Sequence, residues 1–285
     1  MIKKSNWSDT ETRHAQLDKQ VLTSKTAYYG FKQVPSDEKT KRVVRHFNRV
    51  ADKYDLMNTI LSFGIHHQWK RTAINLLNLG DGDRVLDVCG GTGDLSILAA
   101  QKVKRNGLVA VYDINRAMME VGREKLRGHP LEGRIRFVQG DAETISFPDG
   151  LFDAALVGFG IRNVTHMEKA FGEMHRVLKK GGRLMCLEFS RPKNPIFRLL
   201  YDFHSFYMMP CLGRLVVGSG QPYNCLSESI RLFPLPEELS AVLKNIGFSP
   251  VTYRSLTNGI AVIHLGVKNP GPKGLLVHPI SRERL

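Results

Sequence analysis

Three glycines fall within four positions at Gly90-Gly91-Thr92-Gly93, between an apolar run, Arg84-Val-Leu-Asp87-Val-Cys89, and a segment that begins Asp94-Leu95. A strand that ends in an acid and turns through glycines into a helix is the layout of a nucleotide-type cofactor loop at the carboxyl edge of a parallel sheet, and so of an α/β fold. Glycines let the backbone turn tightly and approach a ligand that a Cβ would exclude, while the free N–H groups of the helix start face an anionic group. Such turns also occur without ligands, so the rest of the chain has to decide.

The register after the loop separates two cofactors. A dinucleotide fingerprint runs Gly-x-Gly-x-x-Gly or Ala, whereas from Gly91 the chain reads Gly91-Thr92-Gly93-Asp94-Leu95-Ser96, with Ser96 in place of the third small residue. Asp87 stands ahead of the loop; a carboxylate there repels a pyrophosphate and attracts an ammonium group or a water shell. S-adenosylmethionine (SAM) has an ammonium, a carboxylate and a sulfonium, and no phosphate.

A second apolar run, 108–115, carries Asp113 about twenty residues after the loop, where a ribose-binding acid belongs. An ionised carboxylate accepts two hydroxyl hydrogen bonds there. The third run, 135–143, ends in Asp141-Ala142-Glu143; an Asp at that place can accept from an adenine amino group while the next backbone N–H reaches a ring nitrogen. The fourth, 152–158, leads into Phe159-Gly160-Ile161-Arg162-Asn163, where a substrate should meet the methyl group. One such acid alone reads equally well as a solvated strand end, but acids at successive strand ends mark the ligand-binding edge of an open α/β sheet.

A series of motifs then runs in order: Gly30-Phe-Lys32-x-Val34, Val50-Ala-x-Lys-Tyr54-Asp55-x-Met57-Asn58, Leu61-Ser-Phe-Gly-Ile-His66-x-x-Trp69-Lys70, Gly90-Gly-Thr-Gly-Asp94, Phe159-Gly-Ile-Arg-Asn163-Val164, Leu187-Glu-Phe-Ser190 and Glu228-Ser-Ile-Arg231. In these the chain resembles a class I SAM-dependent methyltransferase, and closely the ubiquinone/menaquinone biosynthesis C-methyltransferases of the UbiE type, over residues 29–268. The resemblance implies a Rossmann-like, mostly parallel seven-stranded sheet with helices on both faces, a C-terminal antiparallel hairpin and an N-terminal helical cap. It implies SAM as cofactor and C-methylation of a polyprenyl quinol ring, demethylmenaquinol or 2-methoxy-6-polyprenyl-1,4-benzoquinol. On matching positions, Thr92 and the Gly90, Gly91 and Gly93 backbone should hold the methionine moiety, Asp113 the ribose, Asp141 and Ala142 the adenine, and the Gly158 carbonyl the amino group, beside Asp87. Arg162, Asn163, Asp141 and Tyr54 are placed near the reacting ring.

A quinol carbon is weakly nucleophilic until a ring hydroxyl loses its proton. An arginine is a poor base, because its guanidinium does not give up its proton in proteins, so Arg162 is expected to stabilise the phenolate, with a water or a carboxylate taking the proton. His204 is the alternative base.

The net charge of +14 fits nucleic acid, an anionic membrane surface or solvated faces. Base methyltransferases of this fold usually carry Asn/Asp-Pro-Pro-aromatic or Pro-Cys after the fourth strand, where this chain has Gly158-Phe159-Gly160-Ile161; Pro210-Cys211 lies downstream among apolar residues. Nucleic acid is therefore not the expected partner, and a SAM-fold RNA-binding protein or RNA methyltransferase stands as the alternative, with a NAD-dependent reductase third. A polyprenyl quinol, a transient membrane contact, and a homodimer or other quinone-biosynthesis enzymes are the expected partners, in the cytoplasm or at the inner face of its membrane. The four cysteines show no Cys-x-x-Cys spacing, which fits a reducing compartment and no metal site. Apolar runs fall short of the roughly 18 residues that span a bilayer.

Residues 1–27 are polar and mixed in charge and read as a flexible arm; Asp9, Glu11 and Asp18 argue against an Arg-rich transit peptide. Residues 28–79 form the cap, with helical spacing from 38 on. The catalytic domain spans 80–268, with helices expected over 94–105, 115–126, 166–178 and 235–245, and strands over 183–188, 250–256 and 260–267. An irregular insertion, about 190–234, interleaves aromatic and Met residues with few charges and is the candidate substrate region, with Tyr201, His204 and Phe206 as substrate residues. Residues 269–285, with three prolines and two glycines, read as a loose tail.

Overall fold

A computed structural model describes residues 7–14, 17–104 and 106–269. Short helices α1 (Thr10–His14) and α2 (Asp18–Ser24) lead to a hairpin of β1 (Thr26–Tyr29) and β2 (Lys32–Pro35), then to α3 (Ser36–Val50), α4 (Tyr54–Leu61) and α5 (Ile65–Leu77). The alternating part follows: β3 (Arg84–Val88), α6 (Asp94–Lys102), β4 (Leu108–Asp113), α7 (Arg116–Leu126), β5 (Ile135–Gln139), β6 (Phe152–Gly158), α8 (Met167–Val177) and β7 (Leu178–Phe189). Helices α9 (Pro195–Phe203), α10 (Met209–Val217), α11 (Gln221–Leu232) and α12 (Pro236–Ile246) precede the hairpin of β8 (Phe248–Leu256) and β9 (Ala261–Lys268).

The seven-stranded sheet has the order β5-β4-β3-β6-β7-β9-β8, with β9 and β8 antiparallel to their neighbours. Strands β3, β4 and β6 are near-continuous apolar runs because helices cover both faces; Val85, Leu86, Val109, Ala154 and Leu156 are sealed from solvent. One core packs β6 and β7 against α8 and α12, and the other packs β3 and β4 against α5 and α6. From β3 the chain steps outward to β4 and β5, then returns to the other side of β3 with β6. That reversal is the switch point at which open α/β sheets leave a crevice beyond the strand ends, and the expected α/β class with its closing hairpin is present.

Several segments differ from expectation. Residues 190–234 are helical, in α9, a π-helical turn over His204–Met208, α10 and α11. Pro195 and Pro222 sit in the first two positions of their helices, where proline's missing N–H costs nothing, and Pro210 directly follows the π-helical turn inside a continuous run of helical backbone. The cap opens on a hairpin rather than a helix, and β7 starts at Leu178 instead of Arg183. The described part of the arm is docked: Arg13 pairs with Glu238 at 2.7 Å, and Asp18 accepts from the Glu168 and Lys169 N–H groups at the start of α8, at 3.1 and 2.8 Å. Residues 270–285, expected to be loose, lie outside the described residues.

Candidate functional site

β3 carries Asp87 to the switch point, where the residue is 1% exposed. Its Oδ2 accepts the Ser96 hydroxyl at 2.6 Å, and its Oδ1 has no partner among the described residues. Burial pushes the carboxyl up to about 7, opposed by the Ser96 hydrogen bond and reinforced by the Asp113 charge. Next comes the glycine turn. A Cβ on Gly90 would lie 2.8 Å from a Val111 methyl and 2.9 Å from the Asp87 carboxyl carbon, and Gly91 and Gly93 have φ of +52° and +78°. Asp113 at the end of β4 steadies this turn, its oxygens accepting from the N–H groups of Gly91 at 2.9 Å and Asn115 at 2.7 Å.

These groups wall a cavity of about 110 Å³ together with Thr92, Asp141, Ala142 and Gly158. An unpartnered buried carboxylate oxygen suits the ammonium of SAM, and a hollow kept open by absent Cβ atoms suits its methionine backbone. All predicted cofactor residues, Asp87, Gly90, Gly91, Thr92, Gly93, Asp113, Asp141, Ala142 and Gly158, line this one cavity. The residues following β3 and β6, Cys89 and Phe159, hold left-handed φ of +55° and +56°, strain that clusters at functional sites.

Charges lock the cap over this pocket. Lys125 on α7 reaches Asp55 on α4 at 2.8 Å and Asp94 on α6 at 2.6 Å; Lys70 on α5 reaches Asp94 at 2.6 Å, and the Thr92 hydroxyl donates to Asp55 at 2.8 Å. Burial would raise the Asp94 pKa, but Lys70 and Lys125 outweigh it and hold the carboxyl well below the usual range. Asp55, Lys70, Thr92 and Asp94 each fall within a motif, but nothing in the spacing between them or to Lys125 shows that they meet; the fold brings the four elements together.

A second cavity, about 510 Å³, adjoins the first and shares Val43, Phe47, Tyr54, Lys70, Phe159 and Asn163 with it. Its walls are mostly apolar, from α3, α4 and α5 on one side and α9 to α11 on the other, and the volume lies within the ~300–1,000 Å³ of small-molecule sites. Arg162 lines this cavity and pairs with Glu188 at the end of β7 at 3.0 Å. Arg162 Nε and Asn163 Nδ2 are buried with no partner among the described residues. Burial raises the Glu188 pKa against the pull of Arg162.

Among the predicted ring-side residues, Tyr54 and Asn163 border both cavities and Arg162 the larger one, whereas Asp141 lines the cofactor pocket alone, its Oδ1 accepting from the Glu143 N–H at 2.9 Å. Tyr201 and His204 line the larger cavity. Phe206 does not; its ring lies 4.0 Å from the guanidinium carbon of buried Arg231. Glu188 and His46 escaped the sequence reading as site residues. Glu188 carries the signal of the other acids, a carboxylate at the end of an apolar strand. His46 lies between Val43, Phe47 and Val50 on the apolar side of α3 and lines the larger cavity, with Nδ1 3.3 Å from the Tyr29 hydroxyl. Burial, then the charges of Arg162 and Arg49, push His46 down to about 4.

The RNA-directed alternative is not favoured by a mostly apolar acceptor cavity. Among solved structures, the chain is similar to the [4+2]-cyclase SpnF (15% identity, TM-score 0.61, 81% of this chain and 97% of that one). It is also similar to a SAM-dependent methyltransferase of Thermotoga maritima described as a possible histamine N-methyltransferase (20%, TM-score 0.55, 79% and 99%). At such identities these likenesses establish the fold alone. Sequence relatives are nearer: proteins named "Ubiquinone/menaquinone biosynthesis C-methyltransferase UbiE" from Stutzerimonas stutzeri and Ectopseudomonas mendocina are 46% and 47% identical over 243 residues, 85% of this chain and 95% of theirs. The model of the ubiE/COQ5 methyltransferase family matches residues 35–268. The chain therefore belongs to the ubiE/COQ5 methyltransferase family, and the cofactor of this enzyme is SAM.

Proposed function

We propose that this enzyme transfers the SAM methyl to a ring carbon of a polyprenyl quinol in menaquinone or ubiquinone biosynthesis, as the names of its relatives state for them. The observation that carries this reading is the junction of the two cavities. The pocket that carries the acids and the glycine turn shares Tyr54, Phe159 and Asn163 with the larger apolar cavity, so a ring held against these residues has cofactor on one side and room for an apolar tail on the other.

When bound, SAM supplies an electrophilic methyl on a sulfonium. The chain then has to create the nucleophile. Arg162, fixed by Glu188 and by the Phe159 carbonyl, presents a permanent cation that stabilises a ring oxyanion in a place where water screens little. The unpartnered Asn163 amide is a second donor. His46, uncharged at neutral pH with its Nδ1 beside the Tyr29 hydroxyl, stands with His204 on this cavity's wall as a group that can take the ring hydroxyl's proton, although burial makes it a weak base. Tyr54 and Phe159 align the ring with the methyl, and alignment supplies much of the acceleration. Asp141 serves the adenine and takes no part in proton transfer. A lipid tail that does not leave the bilayer also brings the enzyme to a membrane surface.

The test is anaerobic turnover of methyl-labelled SAM with reduced demethylmenaquinone and, separately, reduced 2-methoxy-6-polyprenyl-1,4-benzoquinone. Label in the extracted lipid is expected with at least one; label in neither, with SAM binding intact, overturns the reading.

A further inference from the structure

Helices α9 and α10, with the π-turn between them, show an apolar face to solvent. Ile196, Leu199, Leu200, Phe203, Tyr207 and Leu215 are 71, 71, 59, 57, 68 and 77% exposed. Ile196, Leu199, Phe203 and Tyr207 recur three to four residues apart, Leu200 adjoins Leu199, and Leu215 follows eight residues after Tyr207, a spacing that keeps them along one side of a continuous helical rod. No residue of α9 is fully buried, and Arg198, Tyr201 and Asp202 are half-buried. A row of large apolar side chains this long is uncommon on a monomer's surface and marks an interaction site.

Two further observations say what covers it. Phe63 from the α4–α5 turn, 73% exposed, faces His204 at 5.9 Å between ring centres. Phe63, Leu200 and Phe203 are exposed and also line the 510 Å³ cavity, so the row borders the cavity's mouth. The charge along residues 190–217 is mostly basic, Arg191, Lys193, Arg198 and Arg214 against Asp202, with Glu237 of α12 near Lys193. Lys53, Lys193, Arg198 and Arg214 make no ion pair among the described residues, while Asp202, the carboxylate within this stretch, is taken up by buried Arg231. Arg191 stands among like charges, its pKa lowered by burial and then by Arg198 and Arg13. A second protein copy would meet this positive rim with its own. An anionic bilayer meets both features, attracting the cations and receiving the apolar row.

We infer that the α9–α10 face docks on an anionic lipid surface, inserting the apolar row so that the mouth between Phe63 and Phe203 opens into the acyl region. The inference rests on the proposed quinol substrate for its purpose, although the surface can be measured without it. A quinol would then enter ring-first, its tail trailing in the bilayer, without crossing water, and the cations would hold the rim at headgroup level.

The experiment is flotation of the full chain with phosphatidylcholine vesicles, with and without phosphatidylglycerol, for the wild type and for Leu199→Asp/Leu215→Asp. Neither residue lines the cavity. Binding about tenfold tighter to the anionic vesicles, weakened by salt and lost in the double variant, is expected. Equal SAM affinity in the two proteins shows that the variant is folded. A tail-less quinol in solution should be methylated at the same rate by both, whereas turnover of a polyprenyl quinol embedded in vesicles should fall at least about tenfold in the variant. Wild-type protein that ignores both vesicle types overturns the inference, as does a wild-type dimer that the double variant dissolves into monomers, which makes the face a subunit interface. Vesicle binding without methylation of any quinol would instead remove the proposed function and leave the docking face standing.

Discussion

Arg162 and Glu188 meet at 3.0 Å on the wall of the larger cavity with side chains 6 and 2% exposed, an ion pair withdrawn from solvent beside two unpartnered donors. Desolvating two charges is costly and seldom repaid in stability alone. The pair is better understood as a fixed cation for the ring oxyanion, with Glu188 preventing the guanidinium from swinging to bulk water.

Arg162→Ala should therefore lower kcat by about 10²–10³ while SAM affinity stays close to that of the wild type. It also strands Glu188, at a cost of about 3–5 kcal/mol in stability. Arg162→Ala/Glu188→Gln should recover much of the melting temperature and none of the turnover. Single-turnover kinetics with calorimetric SAM titration separates the two effects, and unchanged kcat removes Arg162 from the mechanism.

Asp87 predicts a trade between stability and binding. Its folded pKa, about 7, lies above the ordinary 3.8, so its favourable contribution is complete below about 4 and is lost as pH rises through 7. Asp87→Asn should make the SAM-free protein more stable at pH 8 and weaken SAM binding about tenfold or more, since a charged hydrogen bond to the ammonium is lost. Urea unfolding and calorimetry at pH 6 and 8 check both signs.

Asp94 behaves in the opposite sense. Its pKa is depressed by Lys70 and Lys125, so the stability it gives is present above about pH 4 and disappears as pH falls below that. Asp94→Asn should narrow the gap to wild type in acid and widen it at pH 7, and should speed SAM release by loosening the cap. Urea unfolding between pH 3 and 7 and stopped-flow SAM dissociation give the two readings.

Gly90→Ala places a methyl 2.8 Å from Val111 and 3.0 Å from the Asp87 carbonyl. Backbone cannot yield as a side-chain tip can, so a loss of about 1–3 kcal/mol is expected, with SAM affinity falling alongside. Thermal unfolding with and without SAM measures both, and an unperturbed variant would refute the close approach.

What the sequence made legible follows from what is local. Asp87, Asp113 and Asp141 announce themselves because a strand end is visible as an apolar run that stops at an acid, and the glycine turn because its backbone demands are met residue by residue. The helices over 195–232 are hard to read because Pro195 and Pro222 resemble loop punctuation when the helix they begin is not seen, and Pro210 falls inside a helical run that a proline ordinarily interrupts. The Lys125 clasp joins residues 70 and 31 positions apart, and His46 reaches Tyr29 across a turn and a hairpin. Neither relation leaves a spacing to read. Arg13 likewise finds Glu238 at a separation of 225, so a polar segment that looks unstructured alone becomes ordered by a partner near the far end of the chain.

The antiparallel setting of β9 has a practical corollary. Ala261 lies opposite Phe189 at the edge that bears the cofactor, and Val267 lies opposite Arg183 near the other edge, so the polypeptide departs from the sheet on the side away from the chemistry. An affinity handle, fluorophore or surface tether joined beyond Lys268 would start a full strand length from both cavities, which makes that end the natural point of attachment for immobilising the enzyme with its catalytic edge outward.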